Sequence, residues 1–361
     1  PQRSALMGFP IVMLCLLLLW RIQKNEAEPA EYLLCALLIG ILPLIHPSSF
    51  VIGAFFAAWI IGTAIIKARK FENKWKAPLL IFLLIALPQL IFINEQQRYD
   101  KFAGILLGWV SFAGLKPSLE IFAIFWLKNA GAALVLGMAG FVLMKKDQRI
   151  FSIPFILFFI AANIFRFQPW DWDNVKVLMY WYFGFCALGA IALGRVVEKF
   201  EKMRMRQIGA IFVALIVFLS IFSGLLTFIS WNNSKAVLWS ASDIKTANFI
   251  SENTPKYAAF VTAGKHNHIA YTLAGRQILA GYWGHLWSHG LVSDPQINDA
   301  KTILATADAG LMKKWKIEYV FIGDAEIREF GANLQAFQDN KEFEEIYYNQ
   351  ISGDRIYKLI P

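Results

Sequence analysis

Seven consecutive residues, Trp170-Asp171-Trp172-Asp173-Asn174-Val175-Lys176, place two carboxylates, an amide and a cation beside two indoles. An Asp can act as a base or hold a divalent cation. Asn174 and Lys176 suit phosphate or sugar oxygens, and the faces of Trp170 and Trp172 suit a sugar ring. Asn163, Arg166 and Gln168 extend the series upstream. The competing reading is an aromatic belt at a membrane interface with solvated charges.

Four further clusters carry chemistry. Lys128-Asn129 lies inside an apolar run, and a lysine buried in a membrane is a functional-site hypothesis with a carboxylate or lipid phosphate as partner. Snorkelling of its long stem to the interface is the alternative. His46, in Leu44-Ile45-His46-Pro47-Ser48-Ser49, can transfer a proton or bind phosphate, or it marks a tight turn. Arg98 lies in a polar stretch, Glu95–Lys101, and suits bidentate phosphate contact. In the last third, Arg276 precedes a glycine-rich aromatic run, Gly281–Gly290, that includes Tyr282, His285 and His289. The H-x-H and H-x₃-H spacings there lack the carboxylate or Cys that would complete a zinc pattern. No metal ligand set is assigned, and a divalent cation at Asp171 and Asp173 stays open.

What must position these groups follows from composition. Of 361 residues, 57% are hydrophobic and only 17% charged. One soluble core of this size does not hide that much apolar surface. Crossing a bilayer takes about 20 apolar residues. Eight segments are candidates: roughly 4–20, 29–45, 48–66, 77–94, 119–144, 150–165, 177–195 and 208–230. On this count Lys128 sits about 12 Å below the outer end of its span.

The basic residues order the loops. Residues 1–230 hold 22 Lys and Arg against 12 Asp and Glu, whereas residues 231–361 hold 13 against 14. The basic excess therefore belongs to the apolar part, where membrane orientation explains it and nucleic-acid binding does not. With eight spans the clusters at 67–76, 145–149 and 195–206 share one side with Arg21 and Lys24. That side is cytoplasmic by the positive-inside rule. His46, Glu95–Glu120, Arg166–Lys176 and the tail after residue 230 then face the outside. Cys15, Cys35 and Cys186 all lie in apolar runs, so no disulfide framework is implied.

The tail 231–361 reads as a separate, small α/β domain. Residues 241–253, 267–274, 295–315 and 325–337 have helical character. Residues 258–263, 277–280, 317–322, 343–348 and 355–360 read as strands, the last two as a hairpin around Ser352-Gly353-Asp354. No phosphate-loop, dinucleotide-fold, zincin or serine-hydrolase motif occurs. The expected architecture is a multi-span α-helical membrane bundle of about eight helices over 1–230, followed by a small extracytoplasmic α/β domain over 231–361.

These features together resemble the later part of an integral-membrane glycosyltransferase of the GT-C superfamily. The resemblance rests on Gln2-Arg3, His46-Pro47, Phe125–Asn129, Trp172–Lys176, and Ala274-Gly275-Arg276 with Gly281–Gly290. It implies transfer of a sugar from a polyprenyl-phosphate donor to a glycan, lipid or protein acceptor at the outer face of the cytoplasmic membrane. It also implies inversion at the anomeric carbon and an acidic base in a first outer loop. No residue here matches that base, so the loop is expected upstream of Pro1, and residues 1–361 alone are expected to be inactive. Asp171 and Asp173 are then helpers, and the cations Lys128, Arg98 and Lys176 serve the phosphate. Two rivals remain: a lipid or glycan transporter, and a non-catalytic envelope-assembly protein.

Overall fold

The computed structural model describes residues 4–96, 104–105, 118–167, 171–234, 237–288 and 291–360. Side chains of Gln96, Asp171 and Trp172 lie outside that description. The chain divides into two compact units, one over residues 1–95 and 100–233 and the other over 96–99 and 234–361.

The first unit is helical: α1 (Ala5–Lys24), α2 (Pro29–Gly40), α3 (Leu42–Ile45), α4 (Pro47–Ala68), α5 (Lys76–Gln96), α6 (Leu119–Ala130), α7 (Ala132–Leu143), α8 (Lys146–Ile164), α9 (Val175–Lys202) and α10 (Arg206–Asn233). Two residues of β1 (Gly104–Ile105) pair antiparallel with β2 (Phe165–Arg166). Among the described residues six helices, α1, α4, α5, α8, α9 and α10, are long and apolar enough to cross a membrane. This is the composition of a multi-pass membrane protein.

Two of the eight expected spans form as interrupted rather than straight helices. Residues 29–45 break after Gly40, leaving a helix of 12 residues and a second of four that contains Pro43. Together they still make one apolar helical stretch, Pro29–Ile45, at the short end of the about 17–25 residues that cross a bilayer. Residues 119–144 bend by 96° between α6 and α7. The hinge is Gly131 at φ +51°, a left-handed conformation that glycine adopts without strain. Lys128 lies before the bend, exposed near the end of α6.

Contacts sort the helix ends into two poles. At the first, Lys24 near the end of α1 pairs with Asp147 at the start of α8 at 2.6 Å. Tyr32 of α2 packs against Trp75, just before α5, with ring centroids 5.3 Å apart. At the second, the beginnings of α1, α4 and α9 meet the end of α8. Between the poles, Phe56 of α4 packs edge-on to Phe155 of α8 at 4.8 Å. Helices α7 and α9 approach through glycines: a Cβ on Gly140 would collide with the Leu188 carbonyl.

The second unit contains α11 (Ala241–Asn253), β3 (Ala259–Val261), α12 (Ile269–Thr272), β4 (Gln277–Ile278), α13 (Trp283–Ser288), α14 (Asp294–Thr306), α15 (Ala309–Trp315), β5 (Tyr319–Ile322), α16 (Asp324–Phe330), α17 (Leu334–Asp339), β6 (Phe343–Tyr348) and β7 (Arg355–Leu359). The sheet order is β4-β3-β5-β7-β6. Strands β4, β3 and β5 are parallel, and the β6–β7 hairpin adds antiparallel to β5. Both faces are covered, which explains the uninterrupted apolar run of β5. Val320 and Ile322 face a core with Ile303, Met312 and Phe337, while Tyr319 and Phe321 face one with Ile250 and Ile356. The expected helix 295–315 divides at Ala307 (φ 52°), and 325–337 divides at Gly331 (φ 71°).

Candidate functional site

The second pole of the bundle holds a chain of polar groups in apolar surroundings. His46 breaks the helical path between α3 and α4 in an extended conformation, and Pro47 starts α4 where its missing N–H costs nothing. His46 Nδ1 lies 2.6 Å from Ser49 Oγ, three residues on. The Ser49 hydroxyl lies 2.5 Å from that of Tyr180 on α9. His46, Ser49 and Tyr180 are all buried. Gly8 of α1 closes the pocket, because a Cβ there would meet Ser49 Oγ and His46 Cβ.

The two hydrogen bonds can run in either direction. With Nδ1 protonated, His46 donates to Ser49 and Ser49 donates to Tyr180. In the other tautomer, Tyr180 donates to Ser49 and Ser49 donates to the ring. His46 Nε2 is buried and has no hydrogen-bond partner among the described residues.

One helical turn before Tyr180, Lys176 Nζ pairs with Asp173 Oδ2 at 2.6 Å. Both side chains are mostly buried. The Lys176 ammonium lies near enough to act electrostatically on the His46 ring. Asn174 fixes this corner. Fully buried, it donates to the carbonyls of Ala162 and Phe165 at 2.9 and 2.6 Å and accepts from the Phe167 N–H. It therefore ties the end of α8 to the start of α9 rather than facing a ligand. Asn163 does similar work, accepting from Trp126 Nε1 at 3.0 Å.

Of the expected residues, His46, Asp173 and Lys176 come together, with Asn174 as their support. Lys128 and Asn129 are exposed on α6, and Asn129 donates to its own helix at Phe125 O. Asp171 belongs to a 3-10 turn, 171–174, together with Trp172. Arg98, Gln168, Trp170 and His289 lie outside the described residues, as do Gln2 and Arg3. Ser49 and Tyr180 were not anticipated. Their signals are present: Ser49 stands at i+3 from His46, and Tyr180 at i+4 from Lys176.

In the second unit Arg276 has a different task. Its guanidinium donates to Thr254 Oγ1 and to the carbonyls of Ala274, Ser251 and Thr254 at 2.7–3.0 Å. It caps the end of α11. Tyr282 and His285 do converge, forming with His266 a cluster whose ring centroids are 4.6–5.3 Å apart. No group of three metal-binding side chains occurs among the described residues.

A buried pair that motif reading missed lies at the carboxyl ends of β3 and β5. Glu326 accepts from the N–H groups of Ala263 and Gly323 and contacts His268 Nε2 at 3.1 Å. The Ala270 N–H donates to His268 Nδ1, so Nε2 carries the ring hydrogen and donates to the carboxylate. Burial alone would raise the Glu326 carboxyl; His268 and the backbone donors outweigh it and hold the group below the usual carboxylate range.

No family model matches this chain, and no curated protein matches it. The architecture defines a multi-pass membrane protein with a separate doubly covered α/β domain.

Proposed function

We propose that this chain is a membrane glycosyltransferase. It moves a sugar from a polyprenyl-phosphate donor to a glycan, lipid or protein acceptor at the extracytoplasmic face of the cytoplasmic membrane. The observation that carries this reading is the His46–Ser49–Tyr180 chain beside the Asp173–Lys176 pair, at one pole of an otherwise apolar bundle. Sidedness supports it. Arg21, Lys24, Lys145, Lys146 and Arg149 belong to the opposite pole, which the positive-inside rule makes cytoplasmic.

The chemistry is simple in outline. The acceptor oxygen bonds to the anomeric carbon as the bond from that carbon to the phosphate oxygen breaks. Negative charge grows on the departing phosphate, and Lys176 is placed to stabilise it. Asp173 orients Lys176. The acceptor proton goes to an acidic base of the kind the GT-C resemblance implies. The Ser49–Tyr180 bond holds the His46 ring, making both positioning residues. A donor dissolved in the bilayer needs no nucleotide-sugar site.

A lipid or glycan transporter is the second reading, favoured by the 96° break between α6 and α7, since transporters build sites from discontinuous helices. One assay separates the two. Membranes carrying the full-length protein receive a labelled polyprenyl-phosphate sugar and an acceptor extract. The enzyme reading expects label in acceptor, reduced about tenfold or more by Lys176→Ala. Label that crosses the bilayer still attached to its carrier supports the transporter instead.

A further inference from the structure

The second unit has a groove that the transfer step does not use. In a parallel sheet, ligands bind beyond the carboxyl ends of the strands, where successive connections diverge to either side. Here β4 and β5 flank β3, so the crevice between β3 and β5 is that position. It is filled: Glu326 and His268 occupy it and bind its two loops together. The open space lies on the β4 side.

There, an open groove of about 490 Å³ is lined by Tyr271, Arg276, Gln277, Tyr282, His285 and Leu286. It borders β4 and the loop that follows it, Gly281–His285, and His266, in the loop after β3, packs against that second loop. The two loops pack tightly, since a Cβ on Gly264 would stand 3.2 Å from Gly281 O. The rings of His266, Tyr282 and His285 meet edge to face, at interplanar angles of 62–88°. That packing fixes their orientation. Trp283, half exposed, stands next to them.

The charges decide the ligand class. Arg276 supplies the lining's one guanidinium, and it is already committed to four acceptors, three of them at the end of α11. No carboxylate lines the groove. It has neither a cation directed at an anionic ligand nor an anion for a cationic one. What it presents is oriented aromatic rings with hydroxyl, imidazole and amide groups. Those suit a ligand with alternating C–H faces and hydroxyls.

We infer that this groove is a subsite for a neutral oligosaccharide, holding the glycan acceptor or the growing product. The assignment of the ligand as acceptor rests on the transferase reading; the binding itself does not.

The test uses the full-length protein in lipid nanodiscs, free of sugar-based detergent and of any donor. Saturation-transfer NMR is recorded with cellotetraose, chitotetraose and mannotetraose. At least one gives saturable transfer with a dissociation constant of about 0.1–10 mM. Tyr282→Ala and His285→Ala each weaken it about fivefold or more, while Lys245→Ala, on a separate groove, leaves it unchanged. Limited proteolysis confirms that each variant keeps the wild-type fold. Absence of transfer from all three sugars at about 10 mM overturns the inference. So does transfer that survives the Tyr282→Ala/His285→Ala double variant, or stronger binding of an acidic tetrasaccharide. Lys176→Ala must leave this binding intact. If donor turnover fails while the glycan still binds, the transferase reading falls and the subsite stands.

Discussion

Ser49 and Tyr180, 131 positions apart in sequence, share a hydrogen bond of 2.5 Å between their hydroxyls. The bond joins the start of α4 to α9 inside the bundle and ends a chain that begins at His46. Removing one member leaves a buried polar atom unpaired, which costs about 1–3 kcal/mol. Tyr180→Phe should lower the unfolding midpoint of the purified protein accordingly. It should also reduce sugar transfer more than a stability-matched core variant such as Ile60→Val does. Equal losses in the two would leave Tyr180 with a packing role alone.

The α7–α9 contact gives a prediction about the scaffold. Gly140 meets the backbone of α9, not a mobile side chain, so no rotamer change relieves an added group. Gly140→Val should cost about 1–3 kcal/mol or more through overpacking. Gly62, with nothing within 4 Å of a built Cβ, is the control. Gly62→Ala should be neutral by thermal unfolding in detergent.

Arg276 separates a structural role from a binding one. Arg276→Ala removes the donors that cap α11, and the second unit should lose about 2 kcal/mol. Its proteolytic cleavage should accelerate while α1–α10 stay protected. Tyr282→Ala, which removes no helix cap or ion pair among the described residues, should leave cleavage unchanged. Slowed sugar binding by Arg276→Ala without faster cleavage would restore Arg276 to the ligand site.

Acid should loosen the second unit through Glu326. Folding favours its ionised form, because the folded carboxyl is held below the usual range. The stability this confers is complete above the unfolded value of about 4.3 and is lost as pH falls through the lower folded value. Asp354 works the opposite way, since burial pushes its carboxyl up, and it weakens the unit as pH rises. Glu326→Gln isolates the first effect. The amide presents an N–H where a backbone N–H already points, so the variant should be about 2 kcal/mol less stable at neutral pH. The difference from wild type should shrink below pH ~4. A gap independent of pH would contradict the assignment.

Much of this architecture is legible in the sequence, and the failures have physical causes. The hairpin 343–348/355–359 and strand 319–322 show because alternating or doubly buried strands carry a strong pattern. The breaks at Gly131 and Ile41 do not show, because uniform apolarity gives a helix bend no contrast. His46 stood out as a polar residue between two apolar runs, and Asp173 and Lys176 as part of a dense polar segment between two spans. Ser49 and Tyr180 did not, since neither residue type is unusual near a helix end. Arg276 was read as a ligand group because sequence gives no view of the carbonyls its side chain reaches. Glu326 sits on an ordinary amphipathic helix, and only the meeting of β3 with β5 reveals its partners.

Sidedness decides the account, because transfer from a polyprenyl-phosphate at the outer face requires the second pole and the tail to share the extracytoplasmic compartment. In a cysteine-free background, Lys146→Cys marks the first pole and Glu344→Cys marks the tail, both at exposed positions. Intact cells are treated with a membrane-impermeant maleimide. The account predicts that Glu344→Cys is labelled at once and Lys146→Cys only after the membrane is permeabilised. Labelling of Lys146→Cys in intact cells, with Glu344→Cys protected, would contradict it.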